Sequence, residues 1–219
     1  MTSGLPQAKR PRINRILIAT NNKGKVEEMR VLLQALDAEL VTPEQIDLDL
    51  HVTEDGKTYA ENASKKATAF ERRSGLISLA DDSGLEVDAL DGAPGLYSAR
   101  YVSKAGATDA DRRVYLLKNL TTKPRPWLAR FRAAIAVAIP DGSVHIFEGE
   151  CPGEIIPEER GSGGFGYDPI FYIPQAGRTM AELAMEEKNR ISHRARAVMK
   201  ALPALKTLLE SQAQNISGS

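Results

Sequence analysis

Residues 127–139 and 143–151 are two β-rich stretches joined by Pro140-Asp141-Gly142-Ser143, a plausible hairpin turn. A hairpin makes its two strands antiparallel neighbours. The rest of the chain alternates short apolar runs with helical periods, a pattern that builds parallel neighbours through helical crossovers. Together they point to an α/β fold whose sheet is mixed rather than purely parallel.

Arg15-Ile16-Leu17-Ile18-Ala19-Thr20 is a short apolar run typical of a buried strand, and Asn21 and Asn22 follow with turn and N-cap chemistry. Val26, Met29, Leu32, Leu33 and Leu36 then recur at helical steps, with Glu27, Glu28 and Arg30 on the other face. Residues 43–57 read as loop, and an alanine-rich pattern over 58–73 (Ala60, Ala63, Ala67, Ala69, Phe70) as a second helix. Residues 76–80 read as a buried strand that ends at Asp81-Asp82, and residues 84–101 as short strands and turns. Helices are expected over 109–120, 180–187 and 192–210, the last with Ser192 as N-cap, and a short strand over 170–173. Residues 1–13, with Lys9-Arg10-Pro11-Arg12, read as a basic mobile extension, 14–210 as one domain, and 211–219 as a polar tail.

A chain of 219 residues can bury a core without disulfides, and with Cys151 as its single cysteine it can form none internally. Lys+Arg and Asp+Glu are both 29, a balance that argues against a protein built to coat nucleic acid yet allows a local basic pocket. His51, His145 and His193 match no zinc spacing. No apolar run approaches the roughly 18–20 residues needed to span a bilayer. Neither a membrane nor nucleic acid is expected as a partner, and the location expected is cytoplasmic.

Four motifs carry chemistry. Thr20-Asn21-Asn22-Lys23-Gly24-Lys25 lies where a strand runs into a helix, and a helix start offers unpaired N–H groups to phosphate. It is not a Walker A loop, since Val26 follows Lys25 and the first glycine is missing; an ordinary helix cap explains it equally. Asp81-Asp82-Ser83-Gly84 could hold Mg2+ through strand-end carboxylates, or be a turn; Glu54, Asp55 and Glu61 could complete such a site or be solvated. Gly161-Ser162-Gly163-Gly164-Phe165-Gly166-Tyr167-Asp168-Pro169 gives close backbone approach and flat aromatic faces. Its formal match to a dinucleotide fingerprint fails, because Pro169-Ile170 leads into extended chain and not into a helix. Lys188, Arg190, His193, Arg194 and Arg196 gather donors at a helix start, or form a solvated basic face.

In their order, these motifs with Gly92-Ala93-Pro94-Gly95 and Tyr97-Ser98-Ala99-Arg100-Tyr101 closely resemble the inosine triphosphate pyrophosphatase family, over about residues 15–209. The resemblance implies an elongated, two-lobed α/β fold around a long mixed sheet with flanking helices, and a homodimer. It implies Mg2+-dependent conversion of ITP, dITP and XTP to the monophosphate and pyrophosphate. Thr20, Asn21, Asn22, Lys23, Gly24 and Lys25 would hold the triphosphate, with Asp82 the catalytic acid and metal ligand and Glu54 its metal partner. Ser83, Phe165, Gly166, Tyr167, Asp168, Lys188, His193 and Arg194 would contact the substrate, and Glu61 would be a further acid near the metal. The alternatives are a catalytically silent nucleotide sensor and a hydrolase of another modified nucleotide.

Overall fold

A computed structural model describes residues 14–217. The basic extension expected over residues 1–13 lies outside the described residues. Strand β1 (Arg15–Ile18) runs into helix α1 (Lys23–Leu32), whose N-cap Asn22 accepts from the Lys25 N–H at 3.0 Å. A three-residue strand, β2 (Glu39–Val41), and helix α2 (Tyr59–Ser74) follow. Thr58 caps α2 at its start, and Gly75 ends it in the left-handed region at φ 68°.

Strand β3 (Ile77–Val87) is the first departure from expectation. It does not end at the acid pair but runs straight through Asp81-Asp82-Ser83-Gly84 for 11 residues. The acids read as a strand terminator because polar residues are rare in buried strands, but here each side chain has buried partners and β4 pairs the strand along its length. Residues 88–100 then form two 3-10 turns, Asp88–Leu90 and Gly95–Arg100, in place of the expected short strands. Beyond helix α3 (Asp109–Leu120) come the long hairpin strands β4 (Trp127–Ala138) and β5 (Val144–Ile155), then β6 (Phe171–Ile173) and β7 (Arg178–Thr179).

The helix expected over 180–187 is two pieces, a 3-10 turn at Met180–Glu182 and helix α4 (Met185–Ile191). Glu182 and Glu187 each fold back, onto the Thr179 and Ala184 N–H groups, so a fresh start replaces continuation. Helix α5 (His193–Ser217) takes in most of the stretch expected as a tail, since no glycine or proline interrupts residues 211–217. Among the described residues, no helix is long and apolar enough to cross a membrane.

The seven strands are ordered β2-β1-β3-β4-β5-β6-β7. β1 pairs in parallel with β2 and β3, and every other pairing is antiparallel, so the sheet is mixed. Helices α1 and α5 cover one face through Met29, Leu33, Val198, Ala201 and Leu205. On the opposite face α2 lays Ala63, Ala67 and Phe70 on Ala80, Ala134, Ala136 and Ala138, small residues that let helix and sheet approach closely. A third cluster, around Trp127, Phe131, Ile170 and Phe171, lies under α3 at the far end. α5 also crosses β5 closely: a side chain at Gly149 would meet the His193 carbonyl oxygen at 2.2 Å. That contact seats the first turn of α5, and with it His193 and Arg194, between the two ends of the sheet.

Candidate active site

The β1–β3 pairing reaches only Ile18 and Leu79, so β3 outruns its parallel neighbour just before the acid pair. The gap is filled by the Thr20–Asn22 turn and the first turn of α1. A cavity of about 280 Å³ opens there, between the sheet, α1, the Gly95–Arg100 turn and the glycine-aromatic loop. Strand alternation sends Asp81 and Ser83 to one face of β3 and Asp82 to the other.

Asp81 is 1% exposed. Its Oδ1 accepts from Lys25 Nζ at 2.6 Å and Ser83 Oγ at 2.9 Å, and its Oδ2 from Arg194 Nε at 2.6 Å. Burial pushes this carboxyl upward, but the charges of Arg194 and Lys25 outweigh burial and hold it well below the usual carboxylate range. Arg194, also 1% exposed, donates in addition to Glu28 and, at 3.1 Å, to Ser83 Oγ. Glu28 pairs again with Lys188 Nζ at 2.7 Å, and Lys188 reaches Asp168 Oδ2 at 2.6 Å. Burial opposes the charge on Lys188, yet the two carboxylates prevail and raise its pKa. Lys25, Asp81, Arg194, Glu28, Lys188 and Asp168 thus form an unbroken chain of alternating charge.

Glu28, on the face of α1 away from the apolar stripe in the sequence, is 2% exposed and inside this chain. Arg194 is engaged through all three nitrogens, a pin between Asp81 and Glu28 more than a free donor.

Asp82 faces the cavity. Its Oδ2 accepts from Asn62 Nδ2 at 3.0 Å, and Asn62 in turn accepts from the Gly56 N–H at 2.7 Å, so a buried amide orients the carboxylate. Burial pushes the Asp82 carboxyl up; Lys25 and Asn62 oppose this and the nearby Glu54 charge reinforces it. Glu54 lines the same cavity and pairs with Lys66, which also donates to the Asp81 carbonyl at 3.1 Å. Two carboxylates with cationic neighbours fit a Mg2+ ion, which binds through one or two carboxylates and otherwise keeps waters and phosphate oxygens. Glu61 does not line the cavity: it is exposed and accepts from the Lys57 N–H at 2.6 Å, just before the start of α2. Among the described residues, no three Asp, Glu, His or Cys side chains converge as a metal cluster.

The same cavity is lined by Phe165, Gly166, Tyr167, Asp168, Lys188, His193 and Arg194. The Phe165 ring has Lys188 Nζ at 5.3 Å and Arg194 Cζ at 5.6 Å from its centroid. Gly24 lies against it, and a β-carbon there would stand 2.6 Å from the ring, so this glycine serves the aromatic approach. Of the first motif, Thr20, Asn22 and Lys25 line the cavity, together with Ser83 of β3. Asn21 lines an adjoining depression with His51 and Lys66, and Lys23 is exposed at the start of α1, lining neither. Asn62, Lys66 and Glu28 belong to the site and carry no motif signal.

His193 stacks on Phe131 with centroids 4.8 Å apart, and its enclosed Nδ1 has no hydrogen-bond partner among the described residues. Burial, then the Arg194 charge, drives its pKa well below the ordinary histidine range, so the folded protein holds it neutral. Below about pH 6.5 the unfolded chain takes up a proton at this position that the folded chain refuses, which removes about 1.4 kcal/mol of stability per pH unit. Asp82 and Asp168, raised by burial, act in the opposite sense at lower pH, so the slope is read as wild type minus His193→Gln. Denaturant titrations at pH 7, 6 and 5 are expected to show the wild type losing stability faster than the variant. Parallel losses would mean that the imidazole protonates freely in the fold.

Residues 16–204 match the Ham1 family. The dITP/XTP pyrophosphatase of Desulforamulus reducens is 48% identical over 195 residues, covering 89% of this chain and 96% of that protein. That of Thermus thermophilus is 47% identical over 193 residues, covering 88% and 92%. Among solved structures, a HAM1 protein from Coxiella burnetii superposes with a TM-score of 0.78 at 40% identity, over 90% of this chain and 99% of that one. With the family match spanning nearly the whole domain and close relatives alike over most of their length, the chain belongs to the Ham1 family.

Proposed function

We propose that this chain hydrolyses non-canonical purine nucleoside triphosphates (ITP, dITP and XTP) to the monophosphate and pyrophosphate, and so cleanses the nucleotide pool. The observation that carries this reading is one cavity that brings the aromatic Phe165, with His193, together with the cations Lys25 and Lys66 and the Asp82 carboxylate. The dITP/XTP pyrophosphatases similar to this chain support the substrate class. An aromatic face in the cavity wall, Phe165, suits stacking of a purine base. A homodimer working in the cytoplasm completes the proposal and rests on the resemblance.

Asp82 and Glu54 would hold Mg2+, which supplies charge neutralisation on the phosphate oxygens. Lys25 and Lys66 add cationic contacts at the same end, and the Asn22-capped start of α1 orients N–H groups toward it. Water attacks the α-phosphorus, the bond to the bridging oxygen breaks, and pyrophosphate leaves with that oxygen. The Asp82 carboxylate takes the proton of the attacking water. At the base end, a pocket that donates to O6 leaves its donors unpaired when adenine enters. Guanine shares O6, so its rejection depends on the pocket wall near C2.

Pyrophosphate release from ITP tests the reading. Release is expected with Mg2+, absent after EDTA and restored when Mg2+ is returned. Undiminished release in EDTA would remove the metal from the account, and no release under any condition would leave a binding protein.

A further inference from the structure

The glycine-aromatic loop is held both from within and from outside. Phe165 donates its N–H to Asp168 Oδ2 at 3.0 Å, and Tyr167 donates from its hydroxyl to the Ser98 carbonyl at 2.9 Å. Between them Gly166, at φ 63°, turns its backbone toward the first turns of α3. There its N–H donates to Asp109 Oδ2 at 2.7 Å, and its carbonyl accepts from Arg113 Nη1 at 2.9 Å. Both backbone hydrogen-bonding groups of one residue are therefore gripped by charged side chains one helical turn apart.

The grip is braced on each side. Arg113 forks onto Glu159 at 2.8 and 2.9 Å, which ties the start of the same loop to the helix. Asp109 is paired with Arg112, whose Nη1 also donates to the Ala107 carbonyl at 2.9 Å and the Ala99 carbonyl at 3.2 Å. Burial raises the Asp109 carboxyl, but the hydrogen bonds from Arg112 and Gly166 outweigh it and keep the acceptor ionised.

We propose that Asp109 and Arg113 are positioning residues for base binding: by holding the N–H and the carbonyl of Gly166 they fix the Phe165 ring at the purine end of the cavity. Neither touches the phosphate end, so their effect falls on recognition of the base and not on the bond that breaks. The inference rests on reading the aromatic end as the base site.

Calorimetric titration with IMP and, separately, with inorganic pyrophosphate, both in Mg2+, tests it on Asp109→Ala, Arg113→Ala and Arg113→Lys. In each alanine variant the affinity for IMP is expected to fall about tenfold, the scale of a lost charge-assisted hydrogen bond, with pyrophosphate affinity within about twofold of wild type. KM for ITP should rise in step while kcat stays within about threefold. Arg113→Lys keeps one donor for the Gly166 carbonyl and should recover part of the loss. IMP affinity unchanged in both alanine variants would overturn the proposal. Equal loss of both ligands with a lowered Tm would also overturn it and reduce the pair to structural struts. A wild-type protein that binds pyrophosphate but not IMP would instead sink the base-site reading, and this proposal with it.

Discussion

Asp82→Asn is expected to keep the fold and nucleotide binding and to lower kcat by at least about a hundredfold, the scale of a lost general base. Asparagine is nearly isosteric and can still accept from Asn62, whose amide orients the native carboxylate at 3.0 Å. What it loses is the negative charge, and with it both the proton acceptor and half of the carboxylate pair suited to Mg2+. Steady-state kinetics at saturating Mg2+ and ITP read the effect. Retention of more than about a tenth of the wild-type rate would remove Asp82 from the chemistry.

Asp81→Asn, one residue away, should act mainly on stability. Asp81 is enclosed, and its charge is matched by Lys25 and Arg194 at 2.6 Å each. An amide leaves two buried cations partly uncompensated, with Glu28 the remaining carboxylate on Arg194. Breaking one partner of such a pair costs about 3–5 kcal/mol, a large share of the marginal stability of a single domain. Urea unfolding at pH 7 would show it as a lowered midpoint at similar slope. A change below about 1 kcal/mol would mean that the charge chain relaxes around the amide and that its members are independent. Where the variant is still folded, its turnover should fall less than that of Asp82→Asn.

The helices were legible because their ends are chemically marked. Asn22, Thr58 and Thr108 each accept a backbone N–H three residues on, and such caps stand out in a sequence. The hairpin was legible for the same reason, with Gly142 at φ 92° and Asp141 accepting from the Ser143 N–H at 2.7 Å. β2 was not, since three residues are too few for a period. β3 was misjudged because local patterning cannot foresee that Arg194, 113 positions away from Asp81 in sequence, neutralises a charge in a buried strand.

The site divides along similar lines. Phe165, Lys188 and Asp82 were recognisable as members of motifs. Glu28, Asn62 and Lys66 lie on helices, where an isolated polar residue looks solvated. A spacing signal did exist for all three: Asn62 and Lys66 flank the Tyr59, Ala63, Ala67 and Phe70 stripe of α2 and so border its buried face. Glu28 follows Lys25 by three residues, which places both on one side of α1, where Lys25 reaches Asp81 of β3 and Glu28 reaches Arg194 of α5.

Base selectivity is decisive, because a cavity with cations and a carboxylate pair would serve any nucleoside triphosphate. The most direct measurement is kcat/KM with Mg2+ for ITP, dITP and XTP beside ATP, GTP, CTP and UTP. The first three should be used efficiently and the others at least about a hundredfold less well, a difference of about 2.7 kcal/mol that one or two donors left unpaired by the wrong base can supply. Hydrolysis of ATP or GTP as efficiently as ITP would contradict the account, whatever the variants of Asp82 and Asp81 had shown.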